Sequence, residues 1–319
     1  MSAGTTPLRL GTRRSALATA QSQQVAAELT ARTGRAVELV PVTTYGDTSR
    51  AALSQIGGTG VFVSALRDAL LAGDVDLAVH SLKDLPTAAP EGIALAAVPP
   101  REDPRDVLVA RDGLTLGELP TGSRVGTGSP RRAAQLRALG LGLEVVDVRG
   151  NVDTRIGLVA DGTVDAVVLA RAGLARLDRL GEVTETLDPI QMLPAPGQGA
   201  LAIECLMPHD AVTSTTFDLL GTLDDAVTRL VVDAERTLLA TLEAGCSAPV
   251  GAYGEAAEPE PGEQTPELYL RAVVSAVDGS TQVRLSATGP LDEASRIGRD
   301  LATELLAEGA ADLMWERVQ

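Results

Sequence analysis

Apolar positions in the first two hundred residues follow two rhythms. Short runs such as Leu8-Arg-Leu-Gly11, Val37-Glu-Leu-Val40, Val75-Asp-Leu-Ala-Val79 and Ile93-Ala-Leu-Ala-Ala-Val98 have the length and flanking residues of strands. Between them the apolar spacing becomes helical, predicting helices from Ser15 to Arg32 and from Val61 to Ala72. Strand and helix alternating in this order predict an open, mostly parallel α/β sheet. A second α/β unit begins at Arg101-Glu-Asp-Pro-Arg-Asp106, carries strands at Leu143 to Val148 and Asp165 to Ala170, and ends in the breaker cluster Pro194-Ala-Pro-Gly197. The run Ala200-Leu-Ala-Ile-Glu-Cys205 then reads as a strand returning to the first sheet.

After Gly221 the rhythm changes to a long helix from Asp224 to Glu243, β-like runs at Leu268 to Val277 and Val283 to Ala287, and a helix from Leu291 to Ala307. The expected organisation is therefore an α/β domain from 1–100 and 200–221, a second α/β domain from 101–199, and a small α+β domain from 222–319. The Glu- and Pro-rich segment from Glu255 to Glu267 reads as a surface loop.

Composition sharpens this picture. Aromatics make up only 2% of the 319 residues, so the core must be built from Ala, Val, Leu and Ile, and Phe62, after a glycine-rich segment, is conspicuous. A net charge of -16 excludes the dense basic face that nonspecific nucleic-acid binding needs. The charge is uneven, however: residues 222–319 hold 18 Asp/Glu and 7 Arg, while residues 124–155 hold 6 Arg and 3 Asp/Glu. An anion site can exist inside an acidic protein on that basis. Lys83 is the only lysine. The N-terminus has no apolar leader region and no run is long enough to span a membrane, so a cytoplasmic protein is expected. Cys205 and Cys246 are then expected as free thiols, Cys205 in an apolar strand and Cys246 in a Gly- and Pro-flanked turn that can present its thiol. No His or second Cys lies near Cys246, which argues against a metal site.

In open α/β sheets, ligands bind outside the carboxyl ends of strands, and two such lobes are expected to form a cleft. Several polar segments fall at such ends. His80-Ser81-Leu82-Lys83-Asp84-Leu85-Pro86 reads as a polar turn in which Asp84 can stabilise a cation or exchange protons while Ser81 and Lys83 hold an anion. In Gly126-Thr127-Gly128-Ser129-Pro130-Arg131-Arg132, Ser129 suits an N-cap and Pro130 the first helical position. Arg131 and Arg132 then oppose the helix dipole, a local cost that an anion at the helix start would offset. Arg149-Gly-Asn-Val-Asp-Thr-Arg155, Thr12-Arg13-Arg14-Ser15 and Arg176 extend the set. Together these arginines suit a substrate with several carboxylates.

These segments, with Arg101-Glu-Asp-Pro-Arg-Asp106, Pro194-Ala-Pro-Gly-Gln198-Gly199 and Leu242-Glu-Ala-Gly-Cys246-Ser-Ala-Pro-Val-Gly251, resemble those of the hydroxymethylbilane synthase (porphobilinogen deaminase) family in type, order and spacing over essentially the whole chain. The resemblance implies two lobes like type II periplasmic binding proteins plus a small α+β domain, and a monomer. It implies a dipyrromethane cofactor held by a thioether to Cys246. It also implies that four porphobilinogen molecules lose ammonia and join head to tail on that cofactor before water releases hydroxymethylbilane for tetrapyrrole and heme synthesis. Asp84 matches the family's catalytic carboxylate, thought to steady the cationic azafulvene and the pyrrole nitrogens. Ser81, Lys83, Arg13, Ser15, Thr127, Ser129, Arg131, Arg132, Arg149, Arg155 and Arg176 match positions that hold acetate and propionate groups. Phe62 matches an aromatic near the pyrroles and Gln198 a cleft position. Relatives often carry lysines in the loop equivalent to Thr43–Gly60, where this chain has Gln55 and Thr59, and Pro130 and Gly128 also depart from the family pattern. A rival reading is a non-catalytic module on the same two-lobed fold that holds a dicarboxylate; it has no use for Cys246 or Asp84.

Overall fold

The computed structural model describes residues 6–42, 60–245, 248–258 and 266–314, and for 60–62 the backbone alone. The chain divides into two compact units, one made of Met1–Arg101 with Ala200–Arg229, the other of Glu102–Gly199 with Leu230–Gln319.

The sheet of the first unit contains β1 (Leu8–Thr12), β2 (Val37–Pro41), β3 (Leu77–Ser81), β4 (Ile93–Ala97) and β10 (Leu201–Leu206), in the order β2-β1-β3-β10-β4. β2, β1 and β3 pair in parallel, and β10 runs antiparallel between β3 and β4. Helix α1 (Ala16–Thr33) packs its buried Val25, Ala26 and Leu29 into the cluster with Leu77, Val79, Ile203 and Cys205. Helix α2 (Gly60–Leu71) brings Leu66 and Leu70 to Ala78 and Ile93. Alternate residues of β3 point to opposite faces, so this one strand serves both helices.

The second unit repeats the plan. β5 (Asp106–Ala110), β6 (Arg124–Gly126), β7 (Glu144–Val146), β8 (Ala166–Ala170) and β9 (Glu185–Thr186) form a sheet in the order β7-β6-β8-β5-β9. β7, β6 and β8 pair in parallel, and β5 runs antiparallel between β8 and β9. In each sheet the antiparallel strand is the one that arrives from the other unit. Helices α3 (Pro130–Ala138), α4 (Val152–Ala160) and α5 (Arg171–Arg176) follow β6, β7 and β8. Two α/β lobes of one sheet plan result, as the alternation of strands and helices predicts. No helix among the described residues is long and apolar enough to cross a membrane.

Helix α6 (Ala211–Gly221) closes the first unit, and α7 (Ala226–Thr241) leads to a three-stranded antiparallel sheet of β11 (Val250–Ala257), β12 (Glu267–Ser275) and β13 (Gln282–Pro290), covered by α8 (Ala294–Ala307) and α9 (Ala310–Met314). Leu238, Leu242, Leu270, Val274, Leu301 and Leu305 share one core there. Several sequence-based boundaries move. β3 starts at Leu77 and runs on to Ser81, so His80 and Ser81 belong to the strand and only Leu82–Asp84 turn, as a short 3-10 helix. β5, β6, β9, β11 and α6 had no counterpart in the sequence reading. β11 and β12 take in both ends of the expected Glu255–Glu267 loop, while 259–265 lie outside the described residues.

Candidate functional site

The end of β3 is fixed from three directions. Ser81 Oγ accepts a hydrogen bond from Gln21 Nε2 of α1 at 3.0 Å. Leu82 N donates to Ala200 O at 3.0 Å, and the Leu82 side chain is fully buried. His80 is buried on the other face, its Nε2 3.2 Å from Glu204 Oε2. Lys83 and Asp84 follow at half-buried positions, so this turn offers an ammonium and a carboxylate on a rigid base. At the end of β1, Thr12 Oγ1 donates to Ala18 O at 3.2 Å, and Ser15 Oγ caps α1 by accepting from Ala18 N at 3.3 Å. Arg13 is held half-buried between strand and cap.

In the second unit the same construction recurs at the end of β6. Thr127 is buried, and its Oγ1 accepts from Ser129 N at 3.2 Å. Ser129 caps α3 by accepting from Arg132 N at 3.4 Å, with Pro130 in the first turn. A Cβ at Gly128 would lie 2.7 Å from Val148 O, so this departure from the family pattern is required by the packing of the turn.

Arg131 and Arg132 are both buried, and they converge on Asp106, which is 0% exposed. Arg131 Nη1 lies 2.8 Å from Asp106 Oδ2, and Arg132 Nη2 donates to Asp106 Oδ1 at 2.8 Å. Further donors reach Leu193 O from Arg131 and Val168 O from Arg132. Burial alone would raise the Asp106 pKa, but the charges of Arg131 and Arg132 hold it well below the usual carboxylate range. Burial draws the Arg131 pKa down, though a guanidinium starts so high that it stays charged. The anion that the opposed helix dipole calls for is thus partly internal. Two guanidinium groups against one carboxylate still leave a surplus positive charge.

Gln198 joins this group, its Nε2 donating to Asp106 Oδ1 at 2.8 Å and Pro104 O at 2.6 Å. Gly199 can carry no side chain, because a Cβ would fall 2.2 Å from Glu102 O. Arg176 Nη2 donates to Gly199 O at 2.7 Å. Arg149 is exposed, with its Nε 3.2 Å from Asp147 Oδ2. Arg155 is half-buried; burial and then the charge of Arg132 lower its pKa, against the pull of Asp147. Burial also lowers the pKa of Arg176.

The structure therefore brings Arg131, Arg132 and Gln198 together on Asp106, with Thr127 and Ser129 in the turn that starts the helix of the two arginines and Arg155 within the field of Arg132, and places Ser81, Lys83 and Asp84 on one segment of the other unit. Cys246 and the Thr43–Thr59 part of the loop lie outside the described residues, as does the Phe62 side chain. Cys205 is 1% exposed, and burial pushes its thiol up to about 11, which suits an inert core residue. Asp106, Glu204 and Gln21 were missed from sequence. For the two acids the available signal is a carboxylate in an apolar strand, which is costly unless it is paired; Gln21, in a helix, carries no such signal.

The donor set suits a group rich in carboxylates. The buried Nε atoms of Arg131, Arg155 and Arg176 have no hydrogen-bond partner among the described residues. Guanidinium groups are the side chains that pair with acetate and propionate, which pyrrole rings of the expected kind carry in pairs.

Residues 8–214 match the family model described as porphobilinogen deaminase, dipyromethane cofactor binding domain, and residues 229–307 match the porphobilinogen deaminase C-terminal domain. The chain is 60% identical to porphobilinogen deaminase 1 of Streptomyces coelicolor, over 98% of either chain. It is 62% identical to porphobilinogen deaminase 1 of Streptomyces avermitilis, covering 97% of this chain and 98% of the relative. It is 58% identical to porphobilinogen deaminase of Mycobacterium tuberculosis, again covering 97% and 98%. A non-catalytic dicarboxylate binder does not fit these matches. The carboxylate turn, the arginine cluster and the two family domains agree, and the chain belongs to the porphobilinogen deaminase (hydroxymethylbilane synthase) family, transferases of tetrapyrrole and heme synthesis that use porphobilinogen and a dipyrromethane cofactor.

Proposed function

We propose that the two units divide the family's reaction, the condensation of four porphobilinogen molecules with loss of ammonia and final release of hydroxymethylbilane. Asp84 is the catalytic residue, and the arginines of the second unit hold carboxylates. The observation that supports this reading is the excess of buried guanidinium over carboxylate around Asp106 in a protein of net charge -16. The dipyrromethane group, when bound, supplies the pyrrole carbon to which the first substrate ring is joined. Asp84 Oδ atoms lower the energy of positive charge that develops on a porphobilinogen ring as ammonia leaves, and accept hydrogen bonds from pyrrole N–H groups. Lys83, Ser81, Arg13, Ser15, Thr127, Ser129, Arg131, Arg132, Arg149, Arg155 and Arg176 orient the acetate and propionate groups, Gln198 holds Asp106 in place, and Phe62 flanks a pyrrole. The chain acts as a cytoplasmic monomer of three domains, 1–100 with 200–221, 101–199 and 222–319.

Cys246 carries the cofactor in this reading, and the buried, high-pKa thiol of Cys205 supports it by removing the alternative. Intact mass and colour with Ehrlich's reagent test the assignment. Cys246→Ser should lose the added mass, the colour and the activity, whereas Cys205→Ser should keep all three. A Cys246→Ser protein that retains the dipyrrole would refute it. Asp84→Asn preserves shape and removes charge, so cofactor content should persist while turnover falls on the order of 10²-fold or more. Near-native turnover in that variant would remove Asp84 from the catalytic role.

A further inference from the structure

The reaction as assigned makes no use of Glu204, yet this residue is among the most costly to bury in the first unit. It lies inside the apolar strand β10, 2% exposed. Arg67 of α2 grips it with both ends of the fork, Nε to Oε2 at 3.0 Å and Nη2 to Oε1 at 2.7 Å. His80 Nε2 lies 3.2 Å from Oε2. The register explains the meeting. Glu204 pairs with Ala78 and His80 pairs with Ala202, so the two functional side chains are diagonal neighbours on one face, with alanines beside them leaving the space.

Such a triad adds little to stability by its existence, because desolvating the ions offsets their attraction and an apolar trio of the same volume serves as well. What it supplies is position. Glu204 joins α2, β10 and β3 at a single carboxylate, four residues before Asp84 through His80. Gln21 holds Ser81 from the opposite face, and Ala200 holds the backbone of Leu82. Residues 80 to 82 are thereby tied to α1 on one side and to β10 and its lead-in on the other, immediately before Lys83 and Asp84.

We propose that Glu204 is a positioning residue for the reaction, acting with Arg67 through His80 to fix the end of β3 and with it the Asp84 carboxylate. The inference rests on the assignment of Asp84 as the catalytic group. All condensations use the same carboxylate, so loosening it slows every addition alike and leaves the grip on substrate carboxylates unchanged.

Two holoenzyme variants test this, Arg67→Met/His80→Leu/Glu204→Met, which replaces the triad by apolar volume, and Glu204→Gln. Each is assayed below its unfolding temperature for kcat, KM, dipyrromethane content and, by mass spectrometry with limiting porphobilinogen, the ladder of bound rings. The expected result is normal cofactor content, KM within about twofold, kcat lowered about tenfold or more as a small misplacement of a reacting group produces, and equal slowing at every rung. A folded triad variant with parental kcat overturns the proposal, as does a folded Glu204→Gln with parental kcat where the triad variant does not fold. Failure of both to fold assigns the triad to stability alone and overturns it too. Asp84→Asn in the same assay separates the two readings: if it keeps parental turnover the catalytic assignment itself fails, and if it is slow while the triad variants are not, only the positioning role fails.

Discussion

Each lobe buries one carboxylate on its antiparallel strand, and the two differ in where along the strand it sits and what answers it. Asp106 opens β5, opposite Ala170 at the last residue of β8, and meets two guanidinium groups from the first turn of α3. Glu204 lies deeper in β10, opposite Ala78, and meets one guanidinium and one imidazole. At the strand end two guanidinium groups face one carboxylate, with Arg131 Nε left without a hydrogen-bond partner among the described residues, whereas in the strand interior Glu204 meets a single guanidinium that takes both of its oxygens. The third strands of the two sheets differ in the same sense, since β3 leads to Asp84 and β8 leads to the helix carrying Arg176. One topology thus presents surplus guanidinium in the second lobe and a carboxylate just past a strand end in the first, which suits the two tasks proposed for them.

Removing each buried acid is the most direct way to break this comparison. Asp106→Leu strands two buried guanidinium groups that cannot neutralise, and should cost about 3–5 kcal/mol of unfolding free energy. Glu204→Leu strands one guanidinium, which keeps more solvent exposure than Arg131 or Arg132, and should cost less, about 1–3 kcal/mol. Urea unfolding followed by circular dichroism measures both. Equal losses would show that the two sites are energetically alike.

The sequence shows the alternation of strands and helices and the polar segments at strand ends, because both are local in the chain. It does not show the partners across the fold. Arg131 and Arg132 signal an anion by opposing a helix dipole, but Asp106 is distant in sequence and reads only as part of the opening of the second α/β unit. His80 reads as the start of a polar turn because its neighbours are polar, whereas pairing with β10 carries the strand through Ser81. Glu204 is hidden in an apolar run for the same reason. β11, with Gly251, Gly254 and several alanines, lacks β-branched residues after Val250 and becomes a strand through tertiary packing, with Gly254 so close to Val231 that a Cβ would lie 2.9 Å away.

Acid separates the two carboxylates more finely. Burial raises the Glu204 pKa, but His80 and Arg67 more than offset it and bring it from 4.5 to about 2. A folded-state pKa below the unfolded one gives stability that is present above the unfolded value and lost as pH falls through the folded value. With Arg67 and His80 in place, the ionised form of Glu204 should therefore favour the folded state by about 3 kcal/mol over its protonated form at neutral pH, an advantage that fades between about pH 5 and 2. The stability difference between the parent and Glu204→Gln should shrink over that window, whereas the Asp106 contribution, from a lower pKa, should persist to more acid conditions. A parent-to-variant difference that stayed constant from pH 5 to 2 would contradict the assignment.

The finest distinction lies among the arginines of the second lobe, between those built into the fold and those at its surface. Arg149 is exposed, and its contact with Asp147 is a surface pair, so Arg149→Leu should change unfolding free energy by no more than about 0.5 kcal/mol. Arg155 is half-buried in the field of Arg132, and relief of that repulsion should keep the stability change in Arg155→Leu similarly small. Their effects on elongation should differ all the same. A growing chain of rings carries more carboxylates than these arginines have forks, so particular arginines must serve particular lengths. Loss of one charged contact costs roughly 1.5–3 kcal/mol at the step that uses it. Mass spectrometry of enzyme mixed with limiting porphobilinogen should show a different rung accumulating in Arg149→Leu, Arg155→Leu and Arg176→Leu, against the even slowing expected of the Glu204 variants. If all three arginine variants instead gave the parental ladder at one uniformly lower rate, the second lobe would act as a single common anion site, and the contrast between a graded holding surface and one fixed carboxylate would not stand.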